Sequence, residues 1–165
     1  MPILNANTTE IFSRSPEQTR RVGMRLGGLL HAGDVICLQG ELGAGKTTLV
    51  QGLAKGWGSL DDVSSPTFVI VNLYRRPDAS SLFHLDGYRI NSIREGEELD
   101  LEGMLSQGPL VVEWPERLKA ILPPESLWVQ LTLQAEEHRS MLFSASGVRH
   151  LKLLADFRQQ VFGVA

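Results

Sequence analysis

The chain has 165 residues, of which 42% are hydrophobic and 21% are charged, as is usual for a globular protein. This length is typical of one compact domain, so we expect a single domain over residues 1–165. Sixteen Lys and Arg residues against 19 Asp and Glu residues give a net charge of −3. That balance excludes a strongly basic protein that holds DNA or RNA by bulk electrostatic attraction, and it gives no reason to expect an anionic membrane as a partner.

Cysteine usage and the N-terminal segment bear on the compartment in which the protein works. Cys37 is the only cysteine, so no intramolecular disulfide can form and no oxidising compartment is needed. Residues 1–15 are polar and lack the apolar core of a signal peptide. No run approaches the roughly 18 apolar residues of a membrane span. These features predict a cytoplasmic protein.

Short apolar and alternating runs predict the strands of the fold. The continuous run from Val35 to Leu38 is typical of a strand buried on both faces in a parallel sheet. Residues 128–133 and 139–143 alternate in polarity and predict an antiparallel pair. The polar stretch before Leu82 is too short for a helical crossover, so we expect a hairpin there. Strands are expected at residues 9–12, 35–38, 68–73, 82–85, 110–112, 128–133 and 139–143.

Segments with helical spacing lie between these strands. Ser15-Pro16-Glu17-Gln18 is typical of a helix start, with Ser15 as the N-cap and Pro16 at the first helical position. A second helix carries Leu49, Leu53 and Trp57 on one face. Further helices are expected at residues 96–105, 115–122 and 148–161. Because βα units are mixed with hairpins, the order predicts an α/β sandwich with a mixed parallel and antiparallel sheet.

Residues 40–47 read Gly-Glu-Leu-Gly-Ala-Gly-Lys-Thr and fit the phosphate-loop pattern G-x-x-x-x-G-K-[ST]. An apolar strand precedes the loop and a helix follows it, which argues against a chance glycine-rich turn. Glycines let such a loop wrap a phosphate with its N–H groups inward, and the helix N-terminus adds a positive dipole. The motif predicts a three-layer P-loop NTPase-like fold.

Each polar side chain of the loop has an expected task. Lys46 is expected to bridge the β- and γ-phosphates, the Thr47 hydroxyl to hold Mg²⁺, and Thr48 to reach the α-phosphate. The expected nucleotide-binding residues are Glu41, Leu42, Gly43, Ala44, Gly45, Lys46, Thr47 and Thr48.

Two acidic residues follow apolar strands and are candidates to complete the site. Asp86 follows residues 82–85, and Glu113 follows residues 110–112. Ligands of open α/β sheets bind at the carboxyl ends of strands, so both acids are suitably placed. We expect Asp86 to assist Mg²⁺ and Glu113 to orient or activate a water, although the reverse assignment, or a solvent-exposed acid at either strand end, stays open.

The segment Ser65-Pro66-Thr67 lies between the phosphate loop and the first of these acids. A hydroxyl at such a place can sense the γ-phosphate as a switch loop does, and the alternative is a polar connector fixed by Pro66. The four histidines show no spacing typical of metal ligands.

Other classes of phosphate-loop protein fit less well. A GTPase of the Ras type requires an Asn-Lys-x-Asp motif, which the sequence lacks, and Arg89 stands where its second motif requires glycine. A small-molecule kinase is the strongest rival. It requires a lid with spaced arginines, and Arg75-Arg76 is the only arginine pair in an expected loop after the phosphate loop.

Four motifs in fixed order carry a resemblance to a known family. They are Gly40-Glu41-Leu42-Gly43-Ala44-Gly45-Lys46-Thr47-Thr48, Ser65-Pro66-Thr67-Phe68, His84-Leu85-Asp86-Gly87-Tyr88-Arg89 and Val112-Glu113-Trp114-Pro115-Glu116. Together they closely resemble the TsaE (YjeE) family of small bacterial P-loop ATPases, over roughly residues 10–145. The phosphate loop alone is unspecific, whereas its combination with the other three motifs is highly specific.

The resemblance implies a role in making N6-threonylcarbamoyladenosine in tRNA. Members of this family hydrolyse ATP with Mg²⁺ so that the TsaD–TsaB pair can cycle, and they do not transfer the group themselves. The expected partners are therefore TsaD and TsaB, with tRNA reached indirectly through them.

The resemblance also assigns roles by position. It makes Lys46 and Glu113 the catalytic residues, with Glu113 required for hydrolysis. It assigns Thr47 and Asp86 to the metal. Tyr88, Arg89 and Trp114 fill family positions near the site. Gly87 departs from the family, which usually has a bulkier apolar residue there, and such a glycine is expected to loosen the strand end that carries Asp86.

Overall fold

The computed structural model describes residues 5–63 and 70–163 of the chain. Within them, seven strands form one sheet: β1 (Thr8–Ser13), β2 (Val35–Gln39), β3 (Val71–Arg75), β4 (Ser81–Asp86), β5 (Leu110–Glu113), β6 (Ser126–Ala135) and β7 (His138–Ser146). The α-helices are α1 (Pro16–Gly27), α2 (Lys46–Trp57), α3 (Ile93–Glu97), α4 (Leu101–Gln107) and α5 (Val148–Phe162). In these two ranges, no helix is both long and apolar enough to cross a membrane.

The sheet is mixed, as the sequence predicts. Its strand order is β1-β7-β6-β2-β5-β4-β3. In the centre, β2 pairs in parallel with β5 and β6, and β4 pairs in parallel with β5. The outer pairs β3–β4, β6–β7 and β1–β7 are antiparallel. The carboxyl ends of β2, β5 and β4 therefore lie at one edge, where open α/β sheets bind their ligands.

Two hydrophobic clusters cover the two faces of the sheet and give the fold its three layers. The larger cluster joins α1, α2 and α5 to the sheet and includes Val111 of β5. The smaller cluster includes Leu110 and Val112 of the same strand, packed against residues of the segments around α4 and after β5. Alternate residues of a strand point to opposite faces, so the clusters lie on opposite sides. The predicted three-layer α/β architecture is confirmed.

Helices α1 and α2 are in close backbone contact. A Cβ atom on Gly27 would lie 2.1 Å from the carbonyl oxygen of Leu53, and one on Gly52 would lie 2.2 Å from that of Arg20. Glycine is therefore needed for these two helix backbones to approach so closely. The contact fixes α2, the helix that follows the phosphate loop, against the rest of the fold.

Two predicted helices are wrong in extent. The helix expected at residues 96–105 is two short helices, because Asp100 accepts a hydrogen bond from the N–H of Gly103 (3.0 Å) and so caps a new helix. The helix expected at residues 115–122 is a single 3₁₀ turn over Pro115–Arg117 followed by turns. The strand expected at residues 68–73 is β3, and its first two positions lie outside the described residues.

Candidate functional site

The loop between β2 and α2 has the backbone expected of a phosphate loop. Gly43 (φ 81°) and Gly45 (φ 103°) adopt left-handed conformations that favour glycine. Gly40 is needed for a different reason, because a Cβ atom there would lie 2.7 Å from the carbonyl oxygen of Leu131 on β6. Gly45 is also the N-cap of α2 and has no side chain to accept from the first-turn N–H groups. Such a helix start favours an anion.

Lys46 is buried at the base of this loop, with 6% of its surface exposed. Its Nζ donates to the carbonyl oxygens of Gly40 and Glu41 and lies 4.1 Å from the ring centroid of Trp114. Burial lowers the pKa of Lys46, whereas nearby carboxylates, Glu113 foremost, act in the opposite direction. The ammonium group is therefore held between the phosphate loop and the acids at the strand ends.

Asp86 and Glu113 are direct partners in the register of the parallel strands β4 and β5. Their side chains therefore leave the sheet next to each other, on the same face. Asp86 accepts a hydrogen bond from the N–H of Tyr88 (3.0 Å), and its Oδ2 lies 3.7 Å from Nε of Arg89. Burial raises the pKa of Asp86, and the charge of Glu113 adds to this effect.

The carboxylate of Glu113 contacts a buried histidine of the neighbouring strand β4. Its Oε2 lies 2.5 Å from Nε2 of His84, whose Nδ1 lies 2.8 Å from the hydroxyl of Tyr74. His84 is completely buried, and Glu113 is 6% exposed. The spacing of the histidines in the sequence is not typical of metal ligands, so the sequence provides no reason to single out His84. His84 contacts Glu113 because β4 and β5 are neighbouring strands.

Six of the eight predicted loop residues meet the two acids in one cleft of about 390 Å³. It is lined by Leu42, Gly43, Gly45, Lys46, Thr47, Thr48, Asp86, Tyr88, Arg89, Glu113, Trp114 and Arg139. Of the loop residues predicted to bind nucleotide, Glu41 and Ala44 line a neighbouring groove of about 450 Å³ instead. Ser65, Pro66 and Thr67 lie outside the described residues.

Arg139 is a cleft residue that the sequence did not indicate. It lies on β7, and its Nη2 donates to the carbonyl oxygen of Gly43 (3.1 Å). Its Nη1 donates to the carbonyl oxygen of Glu136 (2.8 Å) in the turn that joins β6 to β7. Arg139 thus connects this hairpin to the phosphate loop and adds a positive charge to the cleft.

The turn after β5 forms an aromatic wall of the cleft. Trp114 has a left-handed backbone (φ 54°), and its ring centroid lies 5.1 Å from that of Tyr88. A Cβ atom on Gly87 would lie 2.5 Å from the carbonyl oxygen of Trp114. The glycine that we expected to loosen the strand end is instead buried where the chain after β4 touches this turn.

The oxygen atoms of Thr47 and Asp86 suit a magnesium ion. Both residues line the cleft. Mg²⁺ prefers oxygen ligands and is usually held by one or two protein groups together with phosphates and waters. Within residues 5–63 and 70–163, no group of three or more His, Cys, Asp and Glu side chains is placed to bind a metal by itself. A hydroxyl and one carboxylate beside a phosphate loop therefore fit Mg²⁺ bound together with a nucleotide.

Comparison with known proteins gives consistent results. A family model described as "Threonylcarbamoyl adenosine biosynthesis protein TsaE" matches residues 13–141. The tRNA threonylcarbamoyladenosine biosynthesis protein TsaE of Streptomyces coelicolor is 42% identical over 134 residues, covering 80% of this chain and 86% of that protein. The TsaE protein of Bacillus subtilis is 36% identical over 137 residues, covering 82% and 85%.

The fold is also similar to that of a solved structure. The crystal structure of Bacillus subtilis YdiB has a TM-score of 0.77 to this chain at 28% sequence identity, covering 93% of this chain and 95% of that one. The family match includes the phosphate loop, Asp86 and Glu113. The chain belongs to the TsaE family.

Proposed function

We propose that the protein is a Mg²⁺-dependent ATPase that lets the TsaD–TsaB pair cycle during threonylcarbamoyladenosine modification of tRNA. The observation that carries the proposal is the single cleft in which the phosphate loop and Lys46 face Asp86 and Glu113. The names of its relatives point to the pathway. TsaD and TsaB as partners, and tRNA reached through them, follow from the resemblance of the motifs.

The chemistry assigned to the cleft is hydrolysis of the terminal phosphoanhydride bond. A water attacks the γ-phosphorus, the bond to the β,γ-bridging oxygen breaks, and ADP and inorganic phosphate are formed. Glu113 orients this water and accepts its proton, while Lys46 and the N–H groups of the loop stabilise the charge on the phosphate oxygens. Mg²⁺ held by Thr47 and Asp86 would neutralise part of the phosphate charge.

The position of one arginine pair argues against a small-molecule kinase. Such a kinase would use Arg75 and Arg76, the pair noted in the sequence, in a lid over the cleft. Arg75 instead pairs with Asp61 (3.2 Å), and Arg76 pairs with Asp78 (3.1 Å). Arg76 also lies 4.1 Å from the ring centroid of Trp57. Both arginines therefore stabilise the β3–β4 hairpin and its surroundings, and neither lines the cleft.

Reconstitution with purified TsaD, TsaB and tRNA tests the proposal. One would follow phosphate release and modified nucleoside in the same reaction. We expect the chain to support many rounds of modification per TsaD–TsaB pair, with phosphate release that the pair stimulates. A chain that neither binds the pair nor supports repeated modification would exclude the proposed function. Transfer of phosphate to a metabolite, without release, would favour the kinase.

Two substitutions separate binding from hydrolysis. Lys46→Ala should abolish or severely weaken nucleotide binding, because the loop loses the cation that contacts the phosphates. Glu113→Ala should still bind ATP and should hydrolyse it about 10²- to 10⁴-fold more slowly, the usual contribution of a general base. Binding is measured with a fluorescent ATP analogue and hydrolysis with TsaD–TsaB present. Normal hydrolysis by Glu113→Ala would remove this residue from the mechanism.

A further inference from the structure

A buried line of hydrogen bonds crosses three strands beneath the cleft. It runs from the hydroxyl of Tyr74 on β3 to Nδ1 of His84 on β4 (2.8 Å), and from Nε2 of His84 to Oε2 of Glu113 on β5 (2.5 Å). Tyr74 is 3% exposed, His84 is fully buried and Glu113 is 6% exposed. The line therefore ends at the carboxylate that we assign to hydrolysis.

The strand register explains why these side chains meet. Asn72 is the register partner of His84, and Asp86 is the partner of Glu113. Residues two apart in a strand share a face, so Tyr74, His84 and Glu113 lie on one face of the sheet. His84 is thus placed directly behind the site, two residues before Asp86 on the same strand.

Hydrogen-bond chemistry assigns a direction to the line. An ionised Glu113 can only accept, so Nε2–H of His84 donates to it. In a neutral imidazole, Nδ1 then accepts, and the hydroxyl of Tyr74 is its donor. Burial, with the charge of Glu113, raises the pKa of Tyr74 to about 12, so the hydroxyl keeps its proton. Tyr74 therefore fixes the tautomer in which His84 donates to Glu113.

We propose that His84, held in this tautomer by Tyr74, is a positioning residue that fixes the carboxylate of Glu113 for hydrolysis. The bond to His84 engages Oε2, and the proposal assigns the other oxygen, Oε1, to the attacking water. Restricting the carboxylate in advance lowers the cost of placing it correctly in the transition state. This inference rests on the proposed function, because it assumes that Glu113 takes part in hydrolysis.

A second buried histidine provides the structural comparison. His150 is 3% exposed, and its Nε2 accepts from the backbone N–H of Val35 (3.0 Å) at the start of β2. The charged groups nearest to it are Asp34, Arg149 and Glu125, and it does not line the cleft. Both histidines are buried, but only His84 contacts a cleft carboxylate. Replacing His150 therefore measures the effect of losing a buried imidazole without touching the site.

The test combines kinetics and stability for matched variants. His84→Leu removes the donor, whereas His84→Gln places an amide N–H near the position of Nε2. With TsaD–TsaB present, we expect His84→Leu to lower kcat about 10- to 100-fold, as loss of an orienting partner does elsewhere. The KM for ATP and the Kd of a fluorescent nucleotide should stay within about twofold of the wild-type values, because His84 does not line the cleft. His84→Gln should recover part of kcat.

Two further variants complete the series. Tyr74→Phe should lower kcat less than His84→Leu does, because the histidine remains but its tautomer is no longer fixed. His150→Leu should lower the melting temperature and leave kcat unchanged. The proposal would be overturned if kcat fell in proportion to the melting temperature, and equally for the His84 and His150 variants. A normal kcat in His84→Leu would also overturn it.

An NMR experiment distinguishes failure of this inference from failure of the proposed function. ¹⁵N NMR of the full chain should show a proton on Nε2 of His84, with a low-field signal that Glu113→Ala removes. The Nδ1-protonated tautomer would overturn the inference whatever the activity. If this signature is present but the wild-type chain shows no hydrolysis that TsaD–TsaB stimulates, the proposed function fails, and the assigned role of His84 in hydrolysis fails with it.

Discussion

Cys37 lies in the middle of β2, two residues before the end of the strand that leads into the phosphate loop. It is 1% exposed, and its register partners are Val112 on one side and Trp128 on the other. Burial raises the pKa of its thiol from 9.0 to about 12. The thiol is therefore protonated and inaccessible near neutral pH. Because the thiolate is the reactive form, we expect Cys37 to be unreactive in the folded chain.

Labelling of Cys37 should accordingly report opening of the central sheet. At pH 8, we expect the native chain to react with a chromogenic disulfide reagent at least about 100-fold more slowly than the chain unfolded in urea, because reaction requires β2 to open. The rate should rise with urea in parallel with unfolding followed by circular dichroism. Fast labelling of the native chain would contradict this, since it would place a locally unstable strand directly before the phosphate loop.

Single residues also show how far the sequence alone predicts the site. The phosphate loop is a continuous string, and Asp86 and Glu113 follow apolar runs, so local patterns place them at strand ends. The bond between His84 and Glu113 joins residues 29 apart. The contact from Arg139 to Gly43 joins residues 96 apart. Such contacts depend on strand register and hairpin position, which no local pattern records.

At the scale of elements, helices α1 and α2 pack with their backbones in close contact. Gly27→Ala should lower the free energy of unfolding by about 1–3 kcal/mol, because its Cβ would lie 2.1 Å from the carbonyl oxygen of Leu53 and the backbones would have to separate. Gly28→Ala is the matched control. Its Cβ would meet no atom closer than 3.6 Å, so we expect a change of at most about 1 kcal/mol.

Urea denaturation of both variants measures the difference. Equal effects of the two substitutions would show that the helices separate at little cost. Because α2 begins at Lys46, a second expectation follows for Gly27→Ala: nucleotide affinity should fall together with stability. Gly28→Ala should leave the affinity unchanged.

The sequence predicts a helix well where one hydrophobic periodicity extends over the whole segment. It predicts a helix less well where a capping side chain or an unusual backbone conformation ends the helix early. Ser15 caps α1 as expected, accepting from the N–H of Gln18 (3.2 Å). Between α3 and α4, the apolar and acidic pattern of the sequence continues, although α3 ends at Glu97 and Asp100 caps the next helix. After β5, Trp114 adopts a left-handed backbone, and only a 3₁₀ turn follows. Both errors arise because capping and backbone conformation override the average helical preference of a window.

At the scale of the whole molecule, strand order creates the cleft. The loop after β2 lies between two groups of strands, because β5 and β6 flank β2 in the sheet. One group supplies Asp86 and Glu113, and the β6–β7 hairpin supplies Arg139. The mixed sheet could be predicted from alternating βα units and hairpins, whereas the order of its strands is a long-range property.

Charge is also a property of the whole molecule, and it bears on contact with tRNA. Several basic side chains are neutralised by acids within 4.0 Å, namely Arg20, Arg75, Arg76, Arg89, Arg149 and Lys152. Lys46 and Arg158 are buried. The other basic side chains are offset by an excess of acidic ones, since 19 Asp and Glu residues stand against 16 Lys and Arg residues. The net charge of −3 therefore provides no bulk attraction for the phosphates of tRNA.

We therefore expect the chain alone to bind tRNA with a Kd weaker than about 100 µM at physiological salt. Fluorescence anisotropy of labelled tRNA measures this, and TsaD–TsaB should bring the tRNA into a common complex. A matched variant reverses the charge: Glu97→Lys, Glu98→Lys and Glu102→Lys, all at exposed positions, move the net charge from −3 to +3. It should bind tRNA in a salt-dependent manner. Tight binding by the unmodified chain would mean that this protein contacts tRNA directly, and the indirect route through its partners would then be wrong.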